Sequence, residues 1–140
     1  MRLPPPPEPD SDPVTLWDGL GVLLVTLCGA LAALFETLLV PLYAGPALVP
    51  VAILLALISN VALPRMARTL VPRTLAAMAP FAAWLVVVLG FGTIARPEGD
   101  VILPGAPSSV EFVTYGVLLG GALAGTATVV WLSPPKNVSR

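Results

Sequence analysis

Hydrophobic residues fill four long stretches of the chain that contain no charged side chain. These stretches lie between Asp18 and Glu36 and over residues 37–64, 74–95 and 112–135. A helix needs about 20 apolar residues to cross the hydrocarbon core of a bilayer, and the first stretch reaches that length when it continues past Glu36. The strict apolar–polar alternation typical of membrane-barrel strands is absent. The pattern predicts an all-α integral membrane protein built as a four-helix transmembrane bundle.

Proline positions mark the expected ends of these spans. Pro64 is expected to end the second span, because proline lacks the N–H that a helix interior needs. Pro80 falls inside the third span and should kink it, unless the helix proper begins there. Two of the connections are short, so sequential spans should run antiparallel. The expected spans are residues 17–41, 47–63, 74–95 and 110–132.

The predicted spans leave a tail at each end of the chain. Residues 1–15 include four consecutive prolines at 4–7, which favour an extended polyproline II conformation. We expect a solvated tail, with a segment laid on a partner subunit as the alternative, because proline-rich chains lose little entropy on docking. Residues 134–140 form the second tail.

Composition supports the membrane interpretation and narrows the set of partners. Hydrophobic residues make up 56% of the 140 residues and charged residues 11%, with a mean hydropathy of +0.91. A soluble domain carries about 25% charged residues. The net charge of −1 leaves no basic surface for nucleic acid. We therefore expect membrane lipids as partners and no soluble substrate.

The chain has no histidine and a single cysteine, Cys28, which lies inside an apolar run. Metal sites built on histidine and cysteine, and acid–base catalysis by histidine, are thereby excluded within this chain. We expect no metal, no cofactor and no catalytic residue.

Basic residues divide unevenly between the two sides of the predicted bundle. Four spans place both tails and the central connection on one side, which holds six of the seven basic residues. Cytoplasmic segments carry the lysine and arginine excess, so both termini should be cytoplasmic. The arginines of the central connection set this topology and can also hold anionic lipid headgroups. That connection contributes Arg65, Arg68 and Arg73, and the tails contribute Arg2, Lys136 and Arg140.

One ionisable side chain, Glu36, falls inside a predicted span, about 7–8 Å from its extracytoplasmic end at roughly 1.5 Å per residue. An intramembrane carboxyl is costly and is a candidate functional site by default. Its structural alternatives are a side chain that reaches towards the headgroups, a protonated carboxyl, or a pair with Arg96. Contact with a partner protein and coupling to protons or cations are the functional alternatives.

Two further side chains stand out inside the apolar spans. Asn60, with Ser59 beside it, is the main polar group of the second span, and such amides usually bond a neighbouring helix. The alternative for Asn60 is the polar lining of a path. Trp84 lies mid-way along the third span, where we expect a packed aromatic whose N–H bonds a backbone or hydroxyl group. The alternative for Trp84 is a stacking surface for a cationic ligand or a pigment-like cofactor.

Small residues recur at four-residue spacing on the first and fourth spans. Such ridges let helices approach closely and gain dispersion contacts. Two adjacent ridges on the fourth span suggest contacts on two sides, one within the bundle and a candidate contact outside it. The ridges are Gly116, Gly120 and Ala124, then Gly121 and Gly125, and on the first span Gly29 and Ala33.

The predicted loop after the third span contains the motif Arg96-Pro97-Glu98-Gly99-Asp100. Its proline and glycine are typical of a structured turn, and two carboxylates are too few for a tight calcium site. With its four-span plan and this motif, the chain resembles a family of small actinobacterial membrane proteins that has no assigned activity. The resemblance covers roughly residues 16–132. It implies an actinobacterial source and residence in the inner membrane, and it implies no mechanism.

Three functions fit the sequence. The first is a non-catalytic accessory subunit of a larger membrane complex, for which the implied source suggests a respiratory assembly. The second is a small dimeric proton-coupled exporter of drugs or cations that uses Glu36, since four spans with a carboxylate in the first and a tryptophan in the third look like the small multidrug-resistance transporters. The six-to-one charge division argues against it. The third is an enzyme whose site is completed by a partner chain.

Overall fold

The computed structural model describes residues 14–44, 46–93 and 108–133. In these ranges the chain forms four helices that are long and apolar enough to cross a membrane, so the predicted all-α, four-helix transmembrane architecture is confirmed. The helices are α1 (Leu16–Leu39), α2 (Val51–Leu70), α3 (Thr74–Thr93) and α4 (Ser108–Leu132). Arg96 and its motif, both tails up to residue 13 and from residue 134, and their basic residues lie outside the described residues.

Helix α1 begins with a reciprocal cap between Thr15 and Asp18. The Asp18 backbone N–H donates to the Thr15 hydroxyl at 3.3 Å, and the Thr15 backbone N–H donates to the Asp18 carboxylate at 2.9 Å. Both bonds satisfy N–H groups that have no partner within a helix. A sharply defined first turn results, at the end of the bundle that also carries the α2–α3 turn.

The connection between α1 and α2 is a small hairpin, which corrects the expected start of the second span at residue 47. Strand β1 (Tyr43–Ala44) pairs antiparallel with β2 (Ala47–Leu48). A further backbone bond joins the Val49 N–H to the Leu42 carbonyl at 2.9 Å. The residues before Pro50 are thus held extended, which is also what a following proline favours. Helix α2 begins only after Pro50.

Helix α2 continues through Pro64 to Leu70, so the prediction that Pro64 ends it is wrong. A proline in a helix interior removes one backbone bond, and membrane helices tolerate this where neighbouring groups compensate. Pro64 is buried, and its helix ends later, where the Val71 N–H donates to the Ala67 carbonyl at 3.1 Å. Consequently Arg65 and Arg68 lie on a helix rather than in a loop.

Helix α3 is likewise continuous across Pro80, and it begins at Thr74. The expectation that Pro80 lies inside the third span is therefore correct, and the alternative in which the helix begins at Pro80 is wrong. The fourth span ends at its expected limit of 132, while the expected limit of the third span, residue 95, lies outside the described residues.

The second helix occupies the middle of the bundle. Helix α2 packs against α1, α3 and α4, while α1 packs closely against α3 and α4 makes only a slight contact with α3. Helices α1 and α4 therefore lie on opposite sides of the α2–α3 pair. Helices α1 and α3 are therefore direct neighbours in the bundle, although α2 lies between them in the chain.

Both glycine ridges of α4 lie inside the bundle. Gly116 and Gly120 face Ile53 and Leu57 of α2, with Ala124 half-buried in the same row, whereas Gly121 and Gly125 face the rings of Trp84 and Phe81 on α3. A Cβ atom at Gly121 would collide with the indole ring. The ridge suggested for a contact outside the bundle is thus used within it, because two neighbouring helices approach α4 from different sides.

Helix α1 meets α3 through its own small residues, as expected from the sequence. Gly29 and Ala33 are both buried, and a Cβ atom at Gly29 would lie 2.6 Å from the Pro80 carbonyl oxygen. A backbone oxygen cannot rotate away as a side chain can. The absence of a side chain at Gly29 therefore sets how closely α1 and α3 approach.

Replacement of Gly29 by alanine should destabilise the bundle by about 1–3 kcal/mol, because the added methyl group overpacks the α1–α3 contact. Gly19→Ala is the matched control in the same helix, since no atom lies within 4 Å of the position that its Cβ would take. That control should be neutral or stabilising by up to about 1 kcal/mol, as alanine is the better helix former. Reversible unfolding in mixed detergent micelles measures both, and equal effects of the two variants would contradict the predicted contact.

Candidate functional site

The carboxyl group of Glu36 is enclosed between three helices. Glu36 on α1 is 1% exposed. Its Oε1 accepts a hydrogen bond from the Ser59 hydroxyl of α2 at 2.7 Å, and its Oε2 accepts one from the Trp84 indole N–H of α3 at 2.6 Å. Each carboxyl oxygen therefore has a donor from a different helix, and neither donor belongs to α1.

Both partners of Glu36 lie well inside their helices. Ser59 lies eight positions after the start of α2 at Val51, which is roughly 12 Å at about 1.5 Å per residue. Trp84 is followed by nine further residues in the described part of α3. Glu36 itself lies three positions before the end of α1 at Leu39. Its distance of about 7–8 Å from the extracytoplasmic end of the span stays a prediction.

The hydrogen bonds distinguish between the structural alternatives for Glu36. A side chain that reached towards the headgroups would turn its carboxyl to the nearer membrane surface, whereas both oxygens are bonded inwards to Ser59 and Trp84. The alternative of a side chain that reaches for the headgroups is therefore wrong. The pair with Arg96 lies outside the described residues and stays a prediction.

The network around Glu36 can accommodate either protonation state of the carboxyl. When the carboxyl is ionised, Ser59 and Trp84 both donate to it. When it is protonated, its O–H can donate to the Ser59 oxygen, and the Ser59 hydroxyl can turn to the Ala56 carbonyl oxygen, 3.3 Å away. An uncharged carboxyl avoids the cost of placing a charge in hydrocarbon. The three side chains thus form a site that can hold or release one proton without leaving a polar atom unpaired.

Trp84 is a packed aromatic residue, as expected, but its partner is a carboxyl rather than a backbone or hydroxyl group. The side chain is 1% exposed and stacks on Phe81, with ring centroids 6.3 Å apart and planes 16° from parallel. Gly121 of α4 leaves the space that the indole occupies. With so little of the ring exposed, the structure offers no support for a stacking surface for a ligand or cofactor.

Asn60 is buried beside this network, although its hydrogen bond differs from the one expected. Its side-chain Nδ2 donates to the Ala56 carbonyl of its own helix at 3.0 Å. Towards α4 the amide packs on Gly121, where a Cβ atom would lie 3.2 Å from Nδ2. Asn60 therefore joins α2 to α4 by packing rather than by the predicted interhelical hydrogen bond.

A groove between α1 and α2 leads to this site. It has a volume of about 340 Å³, and its walls are almost entirely apolar. Glu36 was identifiable from sequence as a charge in an apolar span, but the pairing of Ser59 with it was missed, since a lone hydroxyl in a span carries no such information. The lining consists of Ala32, Phe35, Leu55 and Ile58, with Glu36 and Ser59.

The arginines of the central connection separate into different environments. The Arg65 guanidinium lies 5.4 Å from the centre of the Trp131 ring, which places a cation over an aromatic face. Arg68 donates from Nη1 to the Thr74 hydroxyl at 3.3 Å and so joins α2 to the start of α3. Arg73 is exposed in the turn before α3.

No family model, curated protein or solved structure matches the chain. The resemblance to the actinobacterial family therefore stays a prediction, and its motif at residues 96–100 lies outside the described part of the chain. Within the described residues, no three side chains of histidine, cysteine, aspartate or glutamate cluster as metal ligands. The Glu36–Ser59–Trp84 network is the candidate site that the geometry itself supplies.

Replacement of Glu36 by glutamine should leave the free energy of unfolding within about 1 kcal/mol of the parent value, because the amide can accept from Trp84 and donate to Ser59. Glu36→Leu should lower it by about 1–3 kcal/mol, since the buried Trp84 N–H loses its acceptor. Detergent-titrated unfolding of the purified chain provides the measurement.

The control for this pair is Trp84→Phe, alone and combined with Glu36→Leu. If the Glu36–Trp84 bond carries the loss, the double variant should be less destabilised than the sum of the two single variants. A glutamine variant as damaging as the leucine variant would instead mean that the carboxyl must be charged, as a pair with Arg96 requires.

Proposed function

We propose that this chain is a non-catalytic integral membrane protein that serves as an accessory subunit of a larger membrane assembly. The observation that carries the proposal is the enclosure of Glu36, whose two oxygens are bonded by Ser59 and Trp84 of the same chain. The costly intramembrane carboxyl is thereby used to join three spans. It ties a small bundle together instead of presenting a free acid or base to a substrate.

The outer surface of the bundle supports a role in assembly. Only 22–33% of the residues in the most apolar stretch of each span are buried, so much of every helix is at least partly exposed. Helix α1 presents a continuous row of large apolar side chains, which includes Leu27, Leu31 and Phe35. Such faces pack on lipid tails or on the helices of a neighbouring subunit. The second glycine ridge of α4 gives no such support, because it lies inside the bundle.

The proposed orientation places both termini in the cytoplasm, and the proposed location is a bacterial inner membrane. Support for the orientation comes from the arginines at the α2–α3 turn, since basic residues favour the cytoplasmic side. With four spans, the start of α1 and the end of α4 lie on the same side as this turn. A respiratory assembly remains one candidate for the larger complex, proposed from the resemblance alone.

A second candidate function is proton-coupled export of a drug or cation by a dimer of this chain. The observation that favours it is the presence of Glu36 and Ser59 in the lining of the α1–α2 groove. Trp84, the tryptophan of the third span, donates a hydrogen bond to the same carboxyl. In this function a cation entering the groove would displace the Ser59 hydroxyl and take the place of the proton on Glu36.

Purification of the tagged chain from its own membranes in a gentle detergent should yield a stoichiometric larger partner, identified by mass spectrometry and sized by chromatography. Glu36→Gln should recover the same partner in similar yield, because its hydrogen bonds keep the three spans together. Glu36→Leu should recover less of it, as the bundle is loosened.

The opposite outcome is a homodimer that purifies without any partner. Reconstituted in vesicles, such a dimer should then be tested for proton-driven uptake of a lipophilic cation such as tetraphenylphosphonium. Uptake that Glu36→Gln abolishes would overturn the accessory-subunit proposal in favour of the exporter.

A further inference from the structure

A second pocket lies between α2 and α4, at the end of the bundle opposite the hairpin. It has a volume of about 350 Å³ and is lined by Arg65, Ala127, Thr128 and Trp131. Among the described residues, the lining offers a guanidinium group, a hydroxyl group and an indole ring, and no carboxylate. Ala127 adds little bulk, which leaves space beside the cation.

The pocket lies near the ends of α2 and α4, at the level of the membrane where lipid headgroups are expected. Arg65 lies five positions before the end of α2, and Trp131 lies one position before the end of α4, so both are within about 8 Å of the helix ends. Trp131 is 73% exposed, which suits the amphipathic indole at the boundary between hydrocarbon and water. A ligand in this pocket would therefore meet the bilayer surface on one side and apolar helix faces on the other.

The structure singles out Arg65 among the three arginines. Arg68 already donates to Thr74, and Arg73 lies in the turn before α3 and does not line the pocket. Arg65 is exposed, and its guanidinium lies 5.4 Å from the centre of the Trp131 ring, a contact that favours one orientation of the guanidinium before any ligand arrives. A preoriented guanidinium presents two parallel N–H groups, the geometry that a phosphate accepts in a bidentate manner.

Thr128 provides a second donor in the same pocket. Its side chain is 6% exposed, so its hydroxyl belongs to the packed wall of the pocket rather than to the outer surface. A phosphate that contacts Arg65 and Thr128 would join the end of α2 to the end of α4. These two helices pack against each other, which limits how far apart the two donors can move.

We propose that this pocket binds the phosphate of an anionic phospholipid, with Arg65 as the charged ligand and Thr128 as the hydroxyl donor. The acyl chains would lie along the apolar outer faces of α2 and α4, which continue from the pocket into the hydrocarbon. An anionic lipid is favoured over a zwitterionic one, because the described lining residues include a cation and no carboxylate to receive a choline or ethanolamine group. The site is independent of Glu36 and of the accessory-subunit proposal.

Native mass spectrometry of the full chain tests this site, with phosphatidylglycerol and phosphatidylcholine of identical acyl chains as the two probes. The parent chain should retain phosphatidylglycerol at least about tenfold more tightly than phosphatidylcholine. Arg65→Gln should remove most of this difference. Arg73→Gln, the matched control with the same loss of charge on the same side of the bundle, should change it less than about twofold.

Thr128→Val keeps the shape of the side chain and removes the hydroxyl, and it should weaken phosphatidylglycerol binding severalfold if the bundle remains folded. An equal effect of Arg65→Gln and Arg73→Gln would overturn the proposal, because it would show a general charge effect. Inorganic phosphate at millimolar concentration should not displace the lipid. Displacement by phosphate alone would overturn the lipid as the occupant.

Discussion

The interior of a bilayer supplies no water, so every polar group placed there must find its hydrogen-bond partners within the protein. Glu36 makes this requirement most demanding, since a carboxyl has two oxygens to satisfy and a charge to avoid or compensate. Both partners, Ser59 and Trp84, come from other helices. The carboxyl is satisfied only when α1, α2 and α3 are assembled, and a costly residue thereby makes the association of the three helices specific.

The bonds to Glu36 depend in turn on close packing by residues without side chains. The indole of Trp84 occupies space that Gly121 leaves open on α4, and Phe81 fits against Gly125 in the same way. Gly29 allows α1 to approach the Pro80 carbonyl of α3. Large aromatic rings and glycines are thus matched across helices, and the position of the Trp84 N–H follows from that match. The hydrogen bonds at the centre of this bundle therefore depend on the packing of aromatic rings against glycines.

Charge is distributed in a different way at the end of the bundle that carries the α2–α3 turn. There α2 and its turn with α3 carry three arginines, and two of them contact named partners: Arg68 donates to Thr74, and Arg65 lies over the face of Trp131. The continuation of α2 beyond Pro64 makes this possible, because it places Arg65 on a helix beside α4 instead of in a flexible connection. At the centre of the bundle, the polar groups around Glu36 are hydrogen-bonded to one another. At this end, by contrast, cationic side chains face the membrane surface.

The sequence by itself determined the number of spans, their approximate limits and the importance of Glu36, because long uncharged runs and a charge within one of them can be recognised without knowledge of neighbours. It also located the small residues that allow close approach. Only the tertiary structure decided that α2 is central, that both α4 ridges face inwards, that Pro64 lies within a helix, and that Ser59 and Trp84 bond Glu36. These features depend on which helices meet and at what depth. Residues 23 and 48 positions apart in the chain come together through packing, and a local pattern carries no information about that distance.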